Sequence, residues 1–87
     1  MGKFQFSEQA WSDYLYWQLQ DKKTLKRINA LLQDIERNGY SGIGKPEGLK
    51  GDLSGFWSRR IDDTNRIVYR QSGDVIEIIQ CKGHYDD

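Results

Sequence analysis

Between Gly39 and Gly55 the chain carries six glycines and its only proline, Pro46. Glycine is costly to order in regular structure, and proline cannot donate to a helix or a ladder, so neither a helix nor a strand runs through this stretch. Regular structure must therefore lie on its two sides. In so small a chain a loop of this length is either functional or disordered, and Leu49 and Leu53 within it point to a loop pinned to the rest of the fold.

The two sides differ in hydrophobic period. Before the loop, Leu25, Ile28, Leu31, Leu32 and Ile35 recur at three- and four-residue spacing, with Lys22, Lys23, Lys26, Asp34, Glu36 and Arg37 on other faces. That spacing predicts an amphipathic helix ending at Asn38-Gly39. Upstream, Ser7 followed by Glu8 predicts the N-cap of another helix, with Trp11, Tyr14, Leu15, Trp17 and Leu19 on a broad apolar face. Asp21 is placed to close this helix and cap the next. Lys3 to Phe6 reads as a short strand. After the loop, Phe56 to Ile61, Arg66 to Arg70 and Val75 to Lys82 are rich in β-branched and aromatic residues, and polar turns at 62–65 and 71–74 separate them. The expectation is an α+β fold: a short N-terminal strand, then two helices packed on one face of a small antiparallel sheet, the other face being free for a ligand.

At 87 residues the chain is read as one domain, residues 1–87, with a small core that an oligomer or bound partner would help to stabilise. A single cysteine excludes an intramolecular disulfide, and the first twenty residues are too polar for a secretory signal, so a cytoplasmic location is expected. No window approaches the length of apolar sequence needed to span a membrane. Thirteen basic and thirteen acidic residues leave no net charge, so no overall positive field holds free nucleic acid.

The only histidine, His84, follows the last strand-like run and stands beside Tyr85. With Glu47 and Lys50 from the loop, and Arg59, Arg60 and Arg66 from the strands, it completes a set that can converge on one cleft. Its chemistry suits phosphodiester cleavage: a base takes the proton of a ribose 2′-hydroxyl, an acid protonates the departing 5′-oxygen, and cations steady the phosphorane. Arginine is apt there because its planar fork bonds two phosphate oxygens.

Each residue has a plainer explanation beside that one. His84 can be a solvated side chain at about even odds, because a lone imidazole identifies no reaction. Tyr85 is more often packing. Glu47 and Lys50, three residues apart, can form an exposed ion pair worth roughly 0 to 1 kcal/mol. Arg59 and Arg60 are adjacent in a strand and point to opposite faces, so only one of them reaches any given site directly and the other supports fold or partner. Whether Arg60 and Arg66 share a face depends on the turn length between them. The aromatic cluster of Trp11, Tyr14, Tyr16 and Trp17 reads as core or interface before it reads as a base-stacking platform. Cys81-Lys82-Gly83-His84 has a ligand-like spacing but lacks a second pair of ligands, and the cleavage chemistry needs no metal or other cofactor, so none is expected.

Trp-Ser-Asp-Tyr-Leu-Tyr-Trp-Gln at 11–18, Gly-Lys-Pro-Glu at 44–47, Leu-Ser-Gly-Phe-Trp-Ser-Arg-Arg-Ile at 53–61 and the pair His84-Tyr85 resemble the YoeB-type toxins of bacterial type II toxin–antitoxin systems, within the wider RelE-like group of ribosome-dependent mRNA endonucleases. The resemblance covers nearly all of residues 3–85. It implies a compact RelE-like, microbial-ribonuclease-like fold and cleavage of mRNA in the A site of the 70S ribosome. It also implies a homodimer and silencing by a cognate YefM-like antitoxin. In site terms it implies Glu47 as general base, His84 as general acid and Arg66 on the transition-state phosphate. Lys50 and Arg60 would hold the substrate backbone, and Tyr85 would orient or stack on a nucleotide.

Two departures stand out. Gly48 follows the glutamate where family members often have proline, which adds backbone freedom beside the proposed base. Asp86 and Asp87 extend the chain past the His-Tyr pair and place negative charge where RNA would approach. A function of another class remains open, a non-catalytic module that binds an antitoxin and co-regulates transcription. It would need neither Glu47, Arg66 nor His84.

Overall fold

The structure, a computed structural model, describes residues 3–84. Tyr85, Asp86 and Asp87, and the expectations attached to them, lie outside the described residues.

The chain runs β1 (Lys3–Phe6), α1 (Glu8–Gln20), α2 (Lys22–Asn38), β2 (Glu47–Gly48), a single 3-10 turn (Gly51–Leu53), β3 (Trp57–Arg60), β4 (Arg66–Ser72) and β5 (Val75–Gln80). Helix α1 starts where its capping residue dictates: the Ser7 hydroxyl accepts from the Ala10 N–H at 3.0 Å. Asp21 then serves both helices, its backbone N–H bonding the Trp17 carbonyl at 2.9 Å and its carboxylate accepting from Thr24 N at 3.1 Å. Gly39, with φ of 65°, ends α2.

The strands form one five-stranded sheet in the order β1-β5-β4-β3-β2. β3, β4 and β5 make the expected antiparallel meander, but the sheet is mixed, because β1 runs parallel to β5 with Lys3 opposite Val75 and Phe6 opposite Ile78. Parallel neighbours require a long crossover, and everything from α1 to β4 supplies it. The glycine-rich segment also holds a strand of its own: Glu47 pairs with Ser58 and Gly48 with Trp57 at the sheet edge.

The core lies between the helices and one face of the sheet. Ile28, Leu31 and Ile35 of α2 meet Ile67, Tyr69, Ile76 and Ile78, all of them buried, with Trp17 and Ala10 from α1. Side-chain alternation then assigns the other face. Ile67 and Tyr69 point toward the helices, so Arg66, Val68 and Arg70 point away. That second face is partly covered, contrary to an open ligand platform: Val68 and Leu49 are buried outside the main core, and the Phe56 ring packs 4.7 Å from the Arg70 guanidinium.

Candidate active site

Register brings the predicted residues together. Arg60 stands directly opposite Arg66, so the five-residue turn between them leaves both on one face. Ser58, two residues before Arg60, points the same way, and Glu47 is its partner across the β2–β3 ladder. Glu47, Arg60 and Arg66 therefore share the sheet face turned away from the helices. Two strand spacings and two residues of rise put the Glu47 and Arg66 Cα atoms roughly 12 Å apart, a gap that a ribose and its phosphate can occupy between the two side chains.

Arg66 is held firmly. It is only 7% exposed, and its Nη1 donates to the Asp62 carbonyl at 2.6 Å and to the Asn65 carbonyl at 3.1 Å. The turn that offers those carbonyls is organised by the Asp62 carboxylate, which accepts from the backbone N–H groups of Thr64 at 2.8 Å and Asn65 at 2.7 Å and from the Asn65 amide. Partial burial opposes the charged form of Asp62. The hydrogen bonds from Asn65 and Thr64, with the charge of Arg66, outweigh it and hold the carboxyl below its ordinary range. A sequence reading takes Asp62 and Asn65 for turn residues. Their further task is to aim Arg66.

The same turn reaches His84 through its neighbour. Asn65 Oδ1 accepts from Gly83 N at 2.7 Å, and the Gly83 carbonyl accepts from Arg66 N at 3.0 Å. From the other side, α1 grips the end of β5: the Asp13 carboxylate takes the Cys81 N–H at 3.0 Å and the Trp17 indole donates to the Cys81 carbonyl at 2.9 Å. The three residues before His84 thus hang between two anchors, and His84 emerges exposed beside the backbone of Arg66. The Cys81 thiol is buried, donates to the Ala10 carbonyl, and is pushed up to about 12 by burial and by the Asp13 charge.

Glu47 and Lys50 are both exposed, and the ion pairs among the described residues include neither, so the carboxylate is not tied to the lysine. Lys50 sits past the edge strand at the start of the 3-10 turn, where its carbonyl accepts from Leu53 N at 3.2 Å. Arg59 is the residue that turns inward, fully buried, while Arg60 faces solvent. Trp17 belongs to the core, whereas Trp11 and Tyr16 remain exposed on α1 with Leu15 and Leu19. A groove of about 420 Å³ between the start of α2 and the β3–β4 turn is lined by Lys23, Thr24, Arg27, Ile61 and Asp62, and none of the candidate catalytic side chains lines it.

Comparison with known proteins identifies the family and the fold. The family described as "YoeB-like toxin of bacterial type II toxin-antitoxin system" matches residues 6–85. Toxin YoeB of Streptomyces coelicolor is 54% identical over 80 residues, covering 92% of this chain and 95% of that protein. Among solved structures, a YoeB/ParE toxin from Agrobacterium tumefaciens superimposes with a TM-score of 0.91 at 45% identity, covering 95% of this chain and 99% of that one. A heterotetrameric YoeB-YefM complex from Staphylococcus aureus contains a chain with a TM-score of 0.90 at 50% identity, covering 98% and 99%. The chain belongs to the YoeB-like toxins of bacterial type II toxin–antitoxin systems.

Proposed function

We propose that this toxin is a ribosome-dependent mRNA endonuclease that cleaves by metal-independent acid and base catalysis. The observation that carries the reading is the shared sheet face of Glu47, Arg60 and Arg66, with Gly83, the residue before His84, hydrogen-bonded to the Arg66 backbone. Glu47 takes the proton from a ribose 2′-hydroxyl. The oxygen attacks the adjacent phosphorus, the new O2′–P bond forms as the P–O5′ bond breaks, and His84 delivers a proton to the departing oxygen. Arg66, fixed by turn carbonyls, meets the growing charge on the phosphoryl oxygens without reorganising, and Arg60 and Lys50 hold the flanking backbone. Tyr85 orients a nucleotide.

The neutral charge balance supports dependence on the ribosome. Without a positive field the protein captures RNA poorly from solution, and an A-site codon presented in place supplies the missing proximity. The relatives' YoeB-YefM complex and YoeB dimer support a YefM-like antitoxin and a homodimer for this chain also. Exposed Trp11, Leu15, Tyr16 and Leu19 on α1 supply apolar surface for such partners. No helix among the described residues is long and apolar enough to cross a membrane, and the site of action is the cytoplasm, where the ribosomes are.

Primer extension on translating ribosomes tests the reading with wild type, Glu47→Ala and His84→Gln. Cleavage by wild type that falls at least a hundredfold in each variant is expected. Equal cleavage by all three removes the assignments. Absence of cleavage by wild type favours the non-catalytic antitoxin-binding module, and equal rates on naked and ribosome-bound message refute ribosome dependence.

A further inference from the structure

Arg59 makes five hydrogen bonds, matching the five N–H donors of a guanidinium, and most of them go to one short segment. Nη2 donates to the carbonyls of Gly39 at 2.8 Å and Ser41 at 2.7 Å, and Nη1 donates to the carbonyl of Ile43 at 3.0 Å and to the Asp34 carboxylate. Nε donates to the Tyr69 hydroxyl at 3.2 Å, which itself donates to the Gly39 carbonyl at 2.9 Å. Asp34 completes the hub by accepting from Ile43 N at 3.1 Å and from the Asn38 amide at 2.8 Å. Three alternate carbonyls of a glycine-rich loop are thus gathered on one buried cation.

Just beyond this hub stands Glu47. Gly44, at φ of 81°, bonds its carbonyl to Arg60 N at 2.7 Å, and a Cβ there would come within 2.7 Å of Leu31. Lys45 follows at φ of 50°, a conformation uncommon for a residue with a side chain, and Pro46 comes next. A residue held in such a conformation persists where its surroundings over-determine it, and such positions gather at functional sites. The strand bearing Glu47 is only two residues long and lies at the sheet edge, so its own ladder cannot hold the carboxylate still. The geometry points to Arg59, with Asp34 and Tyr69, as the positioning unit for Glu47. Resting on the proposed role of Glu47 as base, this gives the two adjacent arginines complementary tasks: Arg60 faces the substrate, while Arg59 fixes from behind the loop that carries the base.

The test is a double-mutant cycle between Asp34→Asn and Glu47→Ala on programmed ribosomes, with folding confirmed by circular dichroism. Asp34→Asn is expected to lower kcat about tenfold with KM within about twofold, because a small displacement of a catalytic group acts on the chemical step. In the Glu47→Ala background the same change should leave the residual rate within about twofold, since there is no longer a base to misplace. Hydrogen exchange supplies a second readout: the Leu49 amide, bonded to Phe56 O at 2.9 Å, should lose protection relative to Val68. Tyr69→Phe, a milder change at the same hub, should follow the same pattern at about threefold. Equal losses in both backgrounds, or an Asp34→Asn enzyme as fast as wild type, overturn the positioning role. A fully active Glu47→Ala protein overturns the catalytic reading itself, and does so without reference to Asp34.

Discussion

Replacing Trp17 by Phe tests whether α1 holds the strand that delivers His84. The indole is 8% exposed and its Nε1 donates to the Cys81 carbonyl at 2.9 Å, three residues before the histidine. Phe keeps most of the ring but loses the donor. Removing one partner of a buried hydrogen bond costs about 1 to 2 kcal/mol, the orphaned carbonyl being the larger part. The smaller ring leaves a void of roughly 40 Å³, which at about 24 cal/mol per Å³ adds about 1 kcal/mol. The sum is about 2 to 3 kcal/mol. With a melting entropy of about 2.1 cal/mol/K per residue, an 87-residue domain loses about 5.5 °C per kcal/mol, so Tm should fall by about 11 to 16 °C. Calorimetry or thermal circular dichroism at fixed protein concentration measures it. Ribosomal cleavage well below the new Tm should also fall, because the Cys81 backbone keeps only its Asp13 anchor. A Tm drop under about 4 °C, with cleavage unchanged, would show that the indole contact neither stabilises the fold nor places His84.

Other outcomes follow from the same structure. Gly48 has no left-handed φ, and a Cβ there would make only ordinary contacts with the Trp57 ring from 3.5 Å outward. Gly48→Ala should therefore raise stability by about 0.4 to 1 kcal/mol, read by urea denaturation, and should not slow cleavage. Gly44→Ala meets Leu31 and a φ of 81°, and should cost about 2 to 3 kcal/mol in the same assay. The native Cys81 thiol, pushed up to about 12, should resist iodoacetamide at pH 8 until denaturant is added, with mass spectrometry as the readout. Three carboxyls are held below their ordinary value of 3.8: Asp21 by Thr24, Asp34 by Arg59, and Asp62 by Asn65 and Thr64 against the opposing effect of burial. A depressed folded-state value means that the unfolded chain binds protons first as pH falls. Their contribution is complete above about pH 4 and is lost below it, so the urea midpoint should fall between pH 5 and pH 2.5. Asp62→Asn should make that fall shallower.

Much of this architecture is readable from local chemistry. The spacing of Ile28, Leu31 and Ile35 declares α2, and the Ser7 and Asp21 caps mark where the helices begin because their side chains compete directly for free backbone donors. What is hidden depends on partners distant in the chain. The alternation in β1 announces a strand but not its parallel neighbour β5, and a two-residue strand inside a glycine-rich loop has too few side chains to leave a periodic trace. At the site, adjacency alone puts Arg59 and Arg60 on opposite faces. Which of them turns inward follows from Asp34 and from the loop carbonyls, groups 16 to 25 residues away. Arg60 and Arg66 share a face only because a five-residue turn joins them in direct register. The second duty of Asp62 and Asn65, holding the Arg66 side chain and the Gly83 backbone beyond the end of β5, has no signature beyond an ordinary turn sequence.

The pairing of β1 with β5 bears on biosynthesis. Lys3 leaves the ribosome early, yet its ladder partner Val75 is made 72 residues later. At about 5 to 20 residues per second, the first strand waits roughly 4 to 14 s for its neighbour, and contacts of such wide separation close late in folding. The helices can form in the meantime, but the five-stranded sheet cannot be completed until β5 has emerged. On the proposed mechanism, a nascent fragment ending before β5 lacks His84 and is catalytically silent. The parallel pairing thus builds into the topology a delay between the synthesis of the first strand and the completion of the fold.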